Sequence, residues 1–204
     1  MRIFEHGDTG VLRYDDYPMP TLNDDSVLVR ILATSLSTWD TNYRKGAWLQ
    51  SGIIAPLAGR KLFPLPMQLG RDAVGVVEQV GASCGRFIVG QHVVGLPHPE
   101  NPDCDFAKRG LGNLSTGVDI PGHVMFGGHA QYVVRPERFW TPLPDGVSSA
   151  TASAAMWSYA TSHRVVVDRA AIRPANIVLV TGTSGGMGSA TAELASLLER
   201  RSSG

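Results

Sequence analysis

Apolar residues between positions 26 and 136 come in short runs rich in β-branched side chains, and glycine or proline closes each run. The runs are "SVLVRILATSL" (26–36), "DAVGVVEQVG" (72–81), "QHVVGL" (91–96) and "HAQYVVRP" (129–136), set off by "YPMP", "LFPLP" and "GLPHPENP". This pattern predicts a barrel or sandwich of short strands. It changes near residue 146. After the Pro-Asp-Gly turn, Ser148 or Ser149 can cap a helix that spaces Met156, Trp157 and Tyr159 among small residues. A second helix is expected through "SYATSHRVVVDRA", ending near 165–167. Then "NIVLV" (176–180) reads as a strand, expected over 177–181, and "SATAELASLLER" as a helix with Ala192, Ala195 and Leu198 at helical spacing. The reading is mainly β, passing to α/β, with a β-rich domain over 1–145 and a partial α/β domain over 146–204.

The turn between that last strand and helix carries Gly182, Gly185 and Gly188 in G-x-x-G-x-x-G spacing, with Gly186 in addition and Thr183, Ser184 and Met187 between. Glycines let a backbone turn tightly and come close to a pyrophosphate, and the N–H groups of the following helix then face the anion. A strand before and a helix after are the context in which this pattern points to dinucleotide binding. The alternative is a structural turn that needs small residues for packing. A complete dinucleotide fold uses about six strands, with the ribose-reading residue roughly 20 residues past the glycines. In this chain that position falls at or beyond residue 204, so most of the adenosine pocket is expected to be missing.

Composition narrows the classes. The 204 residues carry 18 basic and 18 acidic side chains, net charge zero, so no nucleic acid or anionic membrane is expected as a partner. No stretch approaches the ~20 apolar residues of a membrane span. The opening "MRIFEHGDTGVLRYDDY" is not a signal peptide. Two cysteines, Cys84 and Cys104, make no disulfide framework. A soluble cytoplasmic protein is the expectation.

The chain resembles the N-terminal part of the medium-chain dehydrogenase/reductase family. The likeness runs in order through "WDTNYRKG", "LGRDAVGVVEQVG", "RFIVGQHVVGL", "GGHAQYVV", "PLPDGVSSATASAA" and "IRPANIVLVTGTSGGMG". It implies a GroES-like β-barrel domain followed by helices and the first strand-turn-helix of a Rossmann fold. Zinc-dependent members hold a catalytic metal with Cys and His. Here those positions fall on Ser37 and Arg71, a hydroxyl and a guanidinium, so no zinc is expected. Asp72 is expected to pair with Arg71 or another base. The segment "CDFAKRGLGNLS" (104–115) resembles the structural-zinc loop, whose four cysteine positions fall on Asn101, Cys104, Ala107 and Ser115. One thiolate cannot hold tetrahedral zinc. His123 and His129 are expected as loop or sheet residues.

The resemblance implies an NADP(H)-dependent, zinc-independent oxidoreductase acting on a small apolar carbonyl, enone or quinone. Ser37, Asp40 and Asn42 are the candidate catalytic residues, with Thr38 on the same cleft wall. A tyrosine often occupies the Asn42 position in quinone oxidoreductases; here Tyr43 follows one residue later, expected on a strand or turn and pointing elsewhere. Thr161 matches a threonine near the nicotinamide, and it joins Gly182, Thr183, Ser184, Gly185, Gly186, Met187 and Gly188 as candidate cofactor contacts. Trp39, Trp48 and Phe63 are expected near the cleft entrance, and the apolar stretch 46–70 either lines a substrate pocket or covers the barrel. The missing strands would come from a longer gene product, a homodimer or a second chain. The alternative is a non-catalytic truncated member serving as a dimerisation or ligand-binding module.

Overall fold

The structure is a computed structural model that describes residues 1–47 and 64–200, with side chains described through residue 198. Trp48, Phe63 and most of the stretch 46–70 therefore lie outside the described residues. The chain divides into two compact units, Met1–Ser153 and Ala154–Gly204.

Among the described residues, the first unit holds eight strands in two antiparallel sheets. β1 (Arg2–Ile3) pairs with β2 (Leu12–Arg13) and with β4 (Met67–Gln68). The larger sheet has the order β7-β3-β5-β6-β8, formed by β3 (Ser26–Ala33), β5 (Val74–Val80), β6 (His92–Gly95), β7 (Tyr132–Pro136) and β8 (Trp140–Pro142). The four apolar runs seen in the sequence become β3, β5, β6 and β7. β3 pairs on both sides, which suits its continuous apolar character: its first four residues are all buried. Two register shifts against β5, at Leu28/Val29 and Ile31/Ala33, bend it.

All five strands supply one core: Val27, Val29, Val77, Val93, Val133 and Trp140 are buried together, with Ala73, Phe87 and Phe139. The two edge strands meet inside, because Arg135 of β7 lies over the Trp140 ring of β8 at 5.2 Å. The sheet thus curls into a barrel. A second, smaller cluster of Ile3, Tyr43, Met67 and Leu69 packs helix α1 (Thr38–Lys45) against the smaller sheet. A one-turn helix α2 (Asp105–Lys108) interrupts the long loop after β6.

Helix α3 (Ser149–His163) starts where expected: the Ser148 hydroxyl accepts the Thr151 amide at 3.0 Å. No separate second helix forms. α3 runs directly into a π-helical turn, Arg164–Arg169, which buries Val166 and leaves Val165 and Val167 exposed. In the second unit α3 faces helix α4 (Gly186–Arg200) through polar and small residues. The Ser162 hydroxyl donates to the Met187 carbonyl at 3.1 Å and accepts from Thr191 at 3.0 Å, and Tyr159 donates to the Glu193 carboxylate.

The strand expected over 177–181 is not one. Residues 177–180 carry no regular structure and pair with no strand among the described residues, with Ile177 102% and Leu179 90% exposed. The reason is physical: a strand exists only as part of a ladder, and no neighbour is available among the described residues.

Candidate functional site

Two groups of residues carry the candidate chemistry, one in each unit. The first surrounds α1. "STWDTNYRKG" was expected to form a strand or turn at Tyr43, but it folds as a helix opened by Ser37 and closed by Gly46 in the left-handed conformation (φ 68°). The Asp40 carboxylate accepts from the Ser37 amide and the Ser37 hydroxyl, both at 2.9 Å, and from the Gly70 amide at 3.2 Å. Ser37 and Asp40, two of the candidate catalytic residues, thus form a capping box that also ties α1 to segment 68–72. Asn42, half-buried on the same helix, contributes its carbonyl to the C-terminal cap at Gly46.

Segment 68–72 is clamped from the other side by the amides of Gly127, Gly128 and His129, which donate to the carbonyls of Gln68, Gly70 and Leu69 at 2.8, 2.6 and 2.9 Å. Gly70 has φ +99°, and a Cβ there would stand 2.5 Å from the His129 nitrogen, so only glycine fits. The clamp holds Arg71 and Asp72 in the interior. The Arg71 guanidinium lies over the Trp39 ring at 5.5 Å, and its Nε donates to the Pro97 carbonyl at 3.4 Å. Asp72 accepts the Ser35 hydroxyl.

Tyr43, expected to point elsewhere, faces the interior. It is buried, it stacks on His123 with ring centroids 4.4 Å apart, and its hydroxyl lies 3.3 Å from His123 Nδ1. Trp39 stands 6.0 Å away at a tilt. Tyr43 and His123, with Ile3, Met67 and Leu69, line a cavity of about 10 Å³, close to the room one water needs. Burial, then Arg71, pushes His123 down to about 4, so it is neutral at ordinary pH and can accept a hydrogen bond from Tyr43. Burial also raises Tyr43 and Asp72 and lowers Arg71. Four groups whose charged forms are disfavoured stand together, a pattern typical of functional sites.

A catalytic zinc does not fit this arrangement. The Ser37 hydroxyl is spent on Asp40, and Arg71 places a cation where a ligand would be needed. In the loop resembling the structural-zinc segment, Cys104 Sγ accepts the Thr116 amide at 3.3 Å and lies 3.6 Å from its hydroxyl. Asn101 closes the same loop, accepting from the Asp103 amide and donating to the Thr116 carbonyl. Hydrogen bonds thus do what a metal could have done there. These donors lower the Cys104 thiol to about 7.

The second group is the glycine turn. Gly182 has φ +71°, its carbonyl accepts the Gly185 amide at 3.0 Å, and the Gly185 carbonyl then accepts the Ser189 amide at 2.9 Å. A Cβ on Gly188 would overlap the Gly182 carbonyl, and one on Gly186 would stand 2.6 Å from Ser158 Oγ. Gly185 is different, since its nearest neighbour would be 3.5 Å from a Cβ. Two of the glycines therefore shape the turn, while Gly185 leaves its outer side open. Residues 182–187, including Thr183 and Ser184, are exposed. Thr161 points its hydroxyl back to the Trp157 carbonyl at 2.8 Å, within its own helix. The turn fits a bound pyrophosphate: it is short, glycine-lined, exposed and followed at once by α4.

Residues 23–145 match the alcohol dehydrogenase GroES-like domain. The chain belongs to the medium-chain dehydrogenase/reductase family. It is 26% identical over 195 residues to an NAD-dependent alcohol dehydrogenase of Sulfurisphaera tokodaii, covering 96% of this chain and 54% of that protein. It is likewise 26% identical over 196 residues to the human quinone oxidoreductase, covering 96% and 48%. Among solved structures, an NAD-dependent alcohol dehydrogenase superposes with a TM-score of 0.84 at 32% identity, over 98% of this chain and 56% of that one. A quinone oxidoreductase of Pseudomonas syringae pv. tomato gives 0.70 at 28%, over 97% and 49%. This medium-chain dehydrogenase/reductase chain thus spans about half the length of the relatives it matches. Its relatives are oxidoreductases, and no described helix is long and apolar enough to cross a membrane.

Proposed function

We propose that this chain carries the barrel and the pyrophosphate-binding turn of a zinc-independent, NAD(P)H-dependent oxidoreductase that reduces a small apolar carbonyl, enone or quinone in the cytoplasm. The observation that carries the reading is the turn at 182–188, where Gly188 has no room for a side chain and Gly185 leaves the outer face open. When bound, a nicotinamide dinucleotide supplies the hydride. The chain's own residues orient and polarise. The backbone N–H groups at the start of α4 hold phosphate oxygens. In the first unit, the desolvated Arg71 guanidinium would favour negative charge on a substrate oxygen. Neutral His123 and the Tyr43 hydroxyl form a hydrogen-bonded pair in which Tyr43 holds the one transferable proton.

The exposed apolar segment 177–180 supports a further point. Parallel strands supplied by more of the same protein, or by a second chain, would pair with it and bury Ile177 and Leu179. NADPH oxidation with a panel of quinones, enones and aldehydes tests the function. Saturable turnover that survives exhaustive chelation and falls in Arg71→Met supports it. Absence of turnover throughout the panel, or one stoichiometric zinc per chain on elemental analysis, counts against it.

A further inference from the structure

Arg71 stands between two fixed neighbours, and one side chain reaches both. Loop 127–129 lies so close to segment 68–72 that a Cβ on Gly128 would stand 2.5 Å from the Asp72 carbonyl oxygen. The next residue, His129, packs its ring against Gly70: a Cβ on Gly70 would stand 2.6 Å from the ring's Cδ2. Gly70 is also tied through its amide to Asp40 and through its carbonyl to the Gly128 amide. The same His129 ring meets Ser35, with Nε2 3.2 Å from the Ser35 carbonyl oxygen. A carbonyl only accepts, so Nε2 is the nitrogen that carries the proton. Nδ1 is buried and has no hydrogen-bond partner among the described residues. The opposite tautomer would lose the Ser35 bond and bury an unmet N–H, which is the costlier arrangement.

Ser35 passes the constraint on. Its hydroxyl donates to the Asp72 carboxylate, and the neighbouring Thr34 hydroxyl donates to the Asp72 carbonyl at 2.6 Å. His129 therefore packs on the residue before Arg71 and, through Ser35, holds the residue after it. We propose that His129 is a positioning residue for Arg71: as the Nε2–H tautomer it fixes Gly70 and Asp72, and so sets where the guanidinium points. The guanidinium reaches the Trp39 ring and the Pro97 carbonyl from a backbone set in this way. That Arg71 then meets a substrate oxygen rests on the function proposed above; the fixing of Arg71 does not.

Two variants separate the donor from the ring. H129F keeps a ring over Gly70 and removes the donor, while H129Q keeps an amide N–H for the Ser35 carbonyl. The first measurement is nitrogen NMR of the isotope-labelled chain without cofactor. The His129 ring should carry its proton on Nε2. The Arg71 Nε–H signal, identified by its absence in R71M, should move and exchange faster with water in H129F and stay at the parent's position in H129Q. The second measurement is NADPH turnover. H129F should lower kcat by about 10- to 100-fold with KM within about twofold, as when a group that acts in the transition state is displaced. H129Q should stay within about threefold of the parent in kcat. In the R71M background H129F should cost no more than about twofold, because the residue it positions is gone. If H129F does not fold, Ser35→Ala cuts the next link to Asp72 and takes its place in both measurements. A ring protonated on Nδ1 alone, an Arg71 signal indifferent to the loss of the donor, or an undiminished kcat loss in the R71M background would each overturn the proposal. If the parent turns over no substrate, the function proposed above fails by itself, and the NMR measurement still decides the positioning.

Discussion

Replacing Gly185 by aspartate separates the anion-binding role of the turn from its folding role. A Cβ at this position would have its nearest neighbour at 3.5 Å, ordinary contact, and the residue is exposed. Stability should therefore change by less than about 0.5 kcal/mol. A bound pyrophosphate would feel the new carboxylate. For two phosphate charges about 5 Å away, at the effective dielectric of roughly 40–80 suited to an exposed turn, the repulsion is about 2–3 kcal/mol. That weakens binding by about 30- to 150-fold. Added salt should shrink the effect, because the charges are exposed. The assay is NADPH fluorescence titration at low salt, beside thermal unfolding of the same samples. Gly185→Ala serves as the uncharged control and should bind within about threefold of the parent, a difference of roughly 0.6 kcal/mol. Equal NADPH affinity in the parent and the aspartate variant would refute the reasoning. So would a large loss of stability, since the turn would then be a packing element after all.

Two further outcomes test the first unit. Asp40→Ala leaves the Ser37 amide and the Gly70 amide without their acceptor, and should cost about 2–4 kcal/mol in urea unfolding; a loss near zero would mean the capping box does not anchor α1. The Cys104 thiol, lowered to about 7 by the Thr116 amide and hydroxyl, should be alkylated at a rate that rises with pH with its midpoint at about 7. Thr116→Val removes one of those donors and should move the midpoint upward; an unchanged midpoint would assign the shift to other groups.

Much of this was legible in the residue pattern, for reasons that can be stated. β3, β5, β6 and β7 announce themselves because each run is apolar enough to be buried and is stopped by glycine or proline. Ser148 was readable as a cap because a helix needs a side-chain acceptor at that place. Helix α1 was equally readable, since Ser37, Asp40 and Gly46 spell a capping box and a left-handed stop. In the fold, Ser37 and Asp40 hold each other and Gly70. A strand or turn would point Tyr43 elsewhere; on a helix it reaches His123. The segment 177–180 could not be settled from its own residues, because pairing is a property of a neighbour. Arg135 obeys the period-two pattern of β7, but only the folded barrel shows what a buried cation there must face.

In the proposed function, the backbone at 182–190 receives the phosphates of a nicotinamide dinucleotide. Amide hydrogen exchange, with and without saturating NADPH, reads those groups directly. Binding there should slow exchange only in the turn and the first turn of α4, with no such slowing in Gly185→Asp. Unchanged exchange across 182–190, with NADPH present in large excess, would contradict it.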